Sequence, residues 1–165
     1  MDKKGSVRDI ILIAVVVFSM GLVAFILHFT ANTAVTKMLD VPTINESEST
    51  RTALESFDEY VDRFDYIIFA LFIGLTLALI VTGWVVGGHP IFMFLYFIVV
   101  TIGVVLSAMF ANVWEQVSQA SAFGTTVTSF PLLNHILNNF PIYIAVIGIV
   151  GLIVMFAKPF IAGNE

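Results

Sequence analysis

Four long apolar runs, at residues 10–30, 66–86, 91–113 and 142–156, are separated by two polar segments and one short turn, and no run contains an Asp, Glu, Lys or Arg. A helix rises about 1.5 Å per residue, so each of the first three covers a hydrocarbon core of about 30 Å. The fourth reaches that length by running on to Phe160, where Lys158 is placed to extend its amine toward the interface. The pattern predicts an all-α membrane protein with four transmembrane helices in a single membrane domain, 1–165, and two outward segments. Proteins that carry ions or protons keep ionisable side chains at membrane depth. Their lack in these runs points to packing and assembly, away from transport, and to no catalytic residue.

The first outward segment is patterned as helix at both ends. Val35, Met38 and Leu39 continue the first helix until Asp40-Val41-Pro42 stops it, and residues 43–50 read as an exposed polar loop. Thr52-Ala53-Leu54-Glu55 is a capping-box pattern, which predicts one helix from Thr52 to Val86. On its extension, about 52–65, Leu54, Phe57, Val61 and Phe64 recur at spacings of three and four, an apolar stripe expected to pack on the protruding end of the first helix. Asp58, Asp62 and Asp65 are expected on a solvated face. Like charges at that spacing repel, and no Asp-rich loop for a cation accompanies them.

Inside the membrane, small residues recur every fourth position. Ala70, Gly74, Ala78 and Thr82 line the second helix, Gly103, Ser107 and Ala111 the third, and Gly148 and Gly151 mark the fourth. Such faces let backbones approach closely where lipid removes the hydrophobic driving force. With only Gly87-Gly88-His89-Pro90 between them, the second and third helices are expected to form a tight antiparallel hairpin through these faces. No Pro interrupts a span before Pro159, which argues against the broken helices of transporters.

The second outward segment starts at Trp114, an interfacial anchor, and passes through small polar residues at 119–128. Pro131 suits the first turn of a short amphipathic helix, about 131–139, that Asn138-Asn139 ends before Phe140-Pro141. Leu132, Leu133, Ile136 and Leu137 give it a side expected to face the membrane, as an interfacial helix. A pore-type re-entrant helix is the alternative, although no filter-like run follows it.

Composition and charge narrow the picture. The chain is 59% hydrophobic, with a mean hydropathy of +1.00, which leaves no soluble domain of useful size. Cysteine is absent, so disulfides, thiolate metal ligands and Cys nucleophiles are absent too. Lys3, Lys4, Arg8 and Lys158 flank the outermost runs, so the positive-inside bias places both termini on the cytoplasmic side. The opposite face is acidic, which disfavours nucleic acid as a direct partner there. The first run is read as a retained helix, with signal-peptide cleavage near 31–34 as the minor alternative. A metal site would need His28, His135 and Glu115 brought together, which their spacing does not demand. His89 reads as a turn residue, and Asn45-Glu46-Ser47 is a lone match to the glycosylation acceptor pattern. No metal or cofactor is expected.

The acidic helix entering through Phe64-Asp65-Tyr66-Ile67-Ile68-Phe69, the Gly-containing second helix, the His-Pro-Ile-Phe turn at 89–92 and the Phe-Pro-Leu-Leu step at 130–133 together resemble small membrane proteins of viruses of bacteria or archaea that carry an internal lipid membrane. The resemblance implies a structural virion membrane protein and carries no site residues with it. Its partners would be the bilayer, further copies of itself, or other membrane or capsid proteins. An accessory subunit of a cellular membrane complex, in a host cytoplasmic membrane, is the second reading. A holin-type pore is the third.

Overall fold

The computed structural model describes residues 5–86 and 90–162; the turn containing His89 and the side chains of Thr82 and Lys158 lie outside what is described. Among the described residues every regular element is helical. Segments long and apolar enough to cross a membrane occupy Ile10–Leu39, Glu48–Val81, Met93–Ser118 and Phe140–Ala157, and the chain is an integral membrane protein.

Helix α1, Gly5–Leu39, runs past its apolar stretch and ends where Asp40-Val41-Pro42 was expected to stop it. Pro42 then opens a one-turn helix, α2, Pro42–Asn45, since its missing N–H costs nothing at a first helical position. Helix α3, Glu48–Asp62, begins earlier than the Thr52 capping box predicts. Extended backbone at Ser47 (φ −83°, ψ 102°) restarts the helix, its hydroxyl bonds the Thr50 hydroxyl at 2.9 Å, and Thr52 is an exposed residue inside it. The long helix expected through to Val86 is tightened at one point. Arg63 N–H bonds Tyr60 C=O at 3.2 Å, separating α3 from α4, Phe64–Val86. Helix α5, Pro90–Ser118, is followed by a single 3-10 turn, Ser121–Phe123, then α6, Gly124–Thr128, α7, Pro131–Asn138, and α8, Phe140–Ala162.

The bundle does not pair its neighbours in sequence. Helix α1 packs on α4 and α5, and α8 packs on the same two, so α4 and α5 sit across from each other with α1 and α8 between them. Among the described residues α4 and α5 therefore lack the close packing expected through their small-residue faces, and the reason lies in α4. Its inward residues are Ile68, Phe72 and Leu79. Ala70, Gly74 and Ala78 lie about 200° around the helix from these, at about 100° per residue, and are exposed. A Cβ added at Gly74 would meet nothing within 4 Å.

The other small residues do sit in close packing. Gly103 and Ser107 are buried and Ala111 half-buried, on the same face of α5 as Tyr96, Val100 and Trp114. A Cβ at Gly103 would lie 3.2 Å from Ile10 Cγ2, one at Gly148 would overlap Val100, and one at Gly151 would overlap the Tyr96 ring and hydroxyl. The α5–α8 contact, the most extensive in the molecule, thus rests on glycines of α8 that admit branched and aromatic side chains of α5.

Helix α7 sits differently from expectation. Leu133, Ile136 and Leu137 are buried in the protein core instead of facing lipid, and only Leu132 is half-exposed. Leu133 and Leu137 rest over Gly21 of α1, where an added Cβ would approach Leu133 to 2.8 Å. Gly21 is nine residues inside the end of the first apolar run, about 13 Å along the helix. The short helix is tucked between the spans at the end of the bundle that carries both polar segments, here called the distal end.

Candidate functional site

The polar chemistry of the described residues gathers at this distal end, where α7 is held. Pro131 occupies the first helical position of α7 and has no N–H, so the first free amides are those of Leu132 and Leu133. An N-cap side chain normally accepts from these two, but the N-cap residue is Phe130, which has no acceptor. Asp65, from the first turn of α4, supplies it. Leu132 N–H donates to Asp65 Oδ2 at 3.0 Å, and Leu133 N–H donates to Oδ1 at 2.8 Å. The carboxyl group is 1% exposed, so these two bonds, together with the helix dipole, compensate its removal from water.

Two further polar contacts surround this cap. His28 of α1 is 1% exposed and places Nε2 2.7 Å from Asp62 Oδ1, while its ring packs edge-on against Phe130 with centroids 5.0 Å apart. Its Nδ1 is buried without a partner among the described residues, as is Asp58 Oδ1. On the far side of α7, Trp114 Nε1–H donates to Asn134 Oδ1 at 2.9 Å, and Asn138 Nδ2 donates to the same oxygen at 2.9 Å. Phe25 fills the space between, with ring centroids 5.0 Å from Trp114 and 5.8 Å from Phe130. Trp114 is wholly buried, an internal strut where an interfacial anchor was expected.

The face of Asp58, Asp62 and Asp65 is thus only partly solvated: Asp62 stays 56% exposed while bonded to His28, and Asp65 is buried. Asp58 is half-buried, Asp62 pairs with His28, and Asp65 caps α7. The apolar stripe beside it is partly inward: Val61 is buried and Leu54 and Phe64 half-buried, whereas Phe57 is 51% exposed. His28 was expected at most as one of three metal ligands and Asp65 on a solvated face; instead the first bonds Asp62 and the second caps α7. The available signal was phase, because Asp58, Val61, Asp62, Asp65, Ile68 and Phe72 share one helical stripe and its apolar members are core residues.

The arrangement holds parts together more readily than it performs chemistry. His135 packs edge-on near Tyr143, with centroids 6.2 Å apart, and among the described residues no group of three His, Cys, Asp or Glu side chains could hold a metal ion. The contacts of Asp65, His28 and Trp114 instead tie α7 or α3 to a spanning helix. The chain matches no protein-family model, no curated protein and no solved structure.

Proposed function

We infer that this chain is a structural protein of a viral membrane, an element that fills the bilayer and makes lateral contacts with its own copies or other membrane proteins. Its distal, acidic segments would contact capsid proteins. One observation carries the structural half of the reading: polar side chains of the distal end act as internal struts, Asp65 to α7, His28 to α3 and Trp114 to Asn134. Between the spans, Phe18 stacks on Phe110 at 4.4 Å, and Val17, Val100 and Ile144 are buried. A conduit would need polar or charged groups facing an open path. The viral half rests on the resemblance carried by residues 64–69, 89–92 and 130–133.

Reconstitution tests the reading. Protein in liposomes is expected to show no ion or proton flux above protein-free vesicles, and cross-linking in the same membranes should yield defined lateral assemblies. Co-expression with the capsid proteins of a virus that encodes the chain should bring it into particles that hold lipid. A selective conductance abolished by changing His28 or Asp65 would overturn the structural reading in favour of a pore. Exclusion from lipid-containing particles, with assemblies intact, would favour an accessory role in a cellular membrane complex.

A further inference from the structure

The outward side of α5 near its distal end carries a second polar feature, which borders the Trp114–Asn134 strut and adds polar groups that take no part in holding α7. Ala108, Ala111, Asn112 and Glu115 recur at helical spacing, and with Asn134 and Asn138 of α7 they line a groove of about 600 Å³ that opens to the surface. Asn112 and Glu115 are exposed, and Asn112 makes no side-chain hydrogen bond among the described residues. One oxygen of Glu115 accepts from Gln119 Nε2 at 3.2 Å, which leaves the other free. Asn112 is the penultimate residue of the third apolar run, beside Trp114-Glu115, so its exposed amide stands where a span meets the polar region and is open to a polar partner.

We propose that this groove binds the headgroup of an aminophospholipid, with the primary ammonium on Glu115 and the phosphate and ester oxygens on the amides of Asn112 and Asn138. The charge pattern selects this ligand. The lining holds one carboxylate and several neutral amides, and no Lys or Arg, so an anionic headgroup would meet repulsion with no compensating cation. A quaternary ammonium cannot donate hydrogen bonds to the carboxylate, and no aromatic side chain lines the groove to receive it by cation–π contact. Ala108, Ala111 and Pro141 supply the apolar floor where the groove meets the bilayer, suited to the glycerol and the first acyl carbons.

The experiment uses the full chain reconstituted in vesicles of equimolar phosphatidylethanolamine, phosphatidylcholine and phosphatidylglycerol, followed by native mass spectrometry of the lipids it retains. Phosphatidylethanolamine should be retained about fivefold over phosphatidylcholine, the scale of one charge-assisted hydrogen bond at a partly exposed site. Glu115→Gln should bring that ratio to about one with the helical circular dichroism unchanged, since Glu115 is exposed and holds no part of the fold, and Asn112→Leu should lower it as well. Equal retention of the two lipids, preference for phosphatidylglycerol, or a preference that survives Glu115→Gln would each overturn the assignment. Soluble glycerophosphoethanolamine should not displace the retained lipid at millimolar concentration; full displacement would mean a site for a free amine and would equally overturn it. None of these outcomes depends on whether the chain belongs to a virion.

Discussion

Replacing Asp65 with Ala should release α7 from the bundle while leaving the four spans in place. The carboxylate accepts one amide on each oxygen, at 3.0 and 2.8 Å, and hydrogen bonds to a charged group contribute about 1.5–3 kcal/mol each. Leu132 is half-exposed and regains water when the segment opens, so the full sum is an upper bound and a loss of about 3–5 kcal/mol in closing free energy is expected. Asp65→Asn keeps an oxygen for one amide and turns an NH2 group toward the other, so it should lose about half as much. Hydrogen–deuterium exchange in nanodiscs reads this directly, because protection of 131–138 reports the local opening equilibrium wherever reclosing outpaces exchange. At about 1.4 kcal/mol per tenfold, Asp65→Ala should speed exchange there by about a hundredfold or more, with Asp65→Asn between it and the natural chain. The core segments of α1, α5 and α8 should be unchanged. Unaltered exchange in 131–138 would refute the capping argument, and uniform acceleration throughout would show that Asp65 supports the whole bundle and not one helix.

Gly148→Leu should destabilise the protein by about 1–3 kcal/mol or more, since even its Cβ overlaps Val100, whereas Gly74→Leu should be tolerated on its open face; thermal melts in detergent compare the two. Equal sensitivity would mean that α4 packs through its small face after all. Trp114→Phe removes the indole N–H from Asn134 Oδ1 but leaves that oxygen bonded to Asn138, so the same melts should show a modest loss of about 1–2 kcal/mol; a loss as large as that of Gly148→Leu would indicate that the strut is more than one hydrogen bond. Single cysteines at the exposed positions Ser49 and Thr125 should react with a membrane-impermeant maleimide from one side and a cysteine at Gly88 from the other. Labelling of 49 and 125 from opposite sides would refute the four-span topology.

The spans, the stop at Asp40-Val41-Pro42 and the short helix beginning at Pro131 were legible because each is a local property: run length, a residue that blocks helix, a proline suited to a first turn. The facing of the helices was not. A helix apolar all round, as α4 and α8 are, gives no periodic signal that separates its lipid side from its protein side. The small-residue rule then carries the whole inference. Gly103 and Ser107 are buried, their stripe coinciding with Tyr96, Val100 and Trp114, but Gly103 meets Ile10 and Ile144 and not the second helix, while Ala70 and Gly74 lie opposite Ile68 and Phe72. For α7 the amphipathic pattern was correct and the occupant of its apolar side was not. A side chain suited to leaving water fits lipid or a protein groove equally well, and only Gly21, more than a hundred residues earlier, makes the groove.

The same distinction explains why Asp65, at the edge of a charge-free span, was expected on a solvated face. Asp65 precedes the apolar run by one residue, where an exposed carboxylate is ordinary, and its burial depends on a helix N-terminus that arrives from 67 residues away. Pro131 and Phe130 together create that need: the first has no amide to offer and the second has no side-chain acceptor, so α7 enters the bundle with two amides and no local cap. A helix that had to be satisfied only by water would stay at the interface. With a buried carboxylate at hand, both amides are met inside the bundle at the depth where Leu133 and Leu137 rest over Gly21. The polar cap and the apolar groove therefore fix the position of α7 together, and neither requires it to lie at the interface.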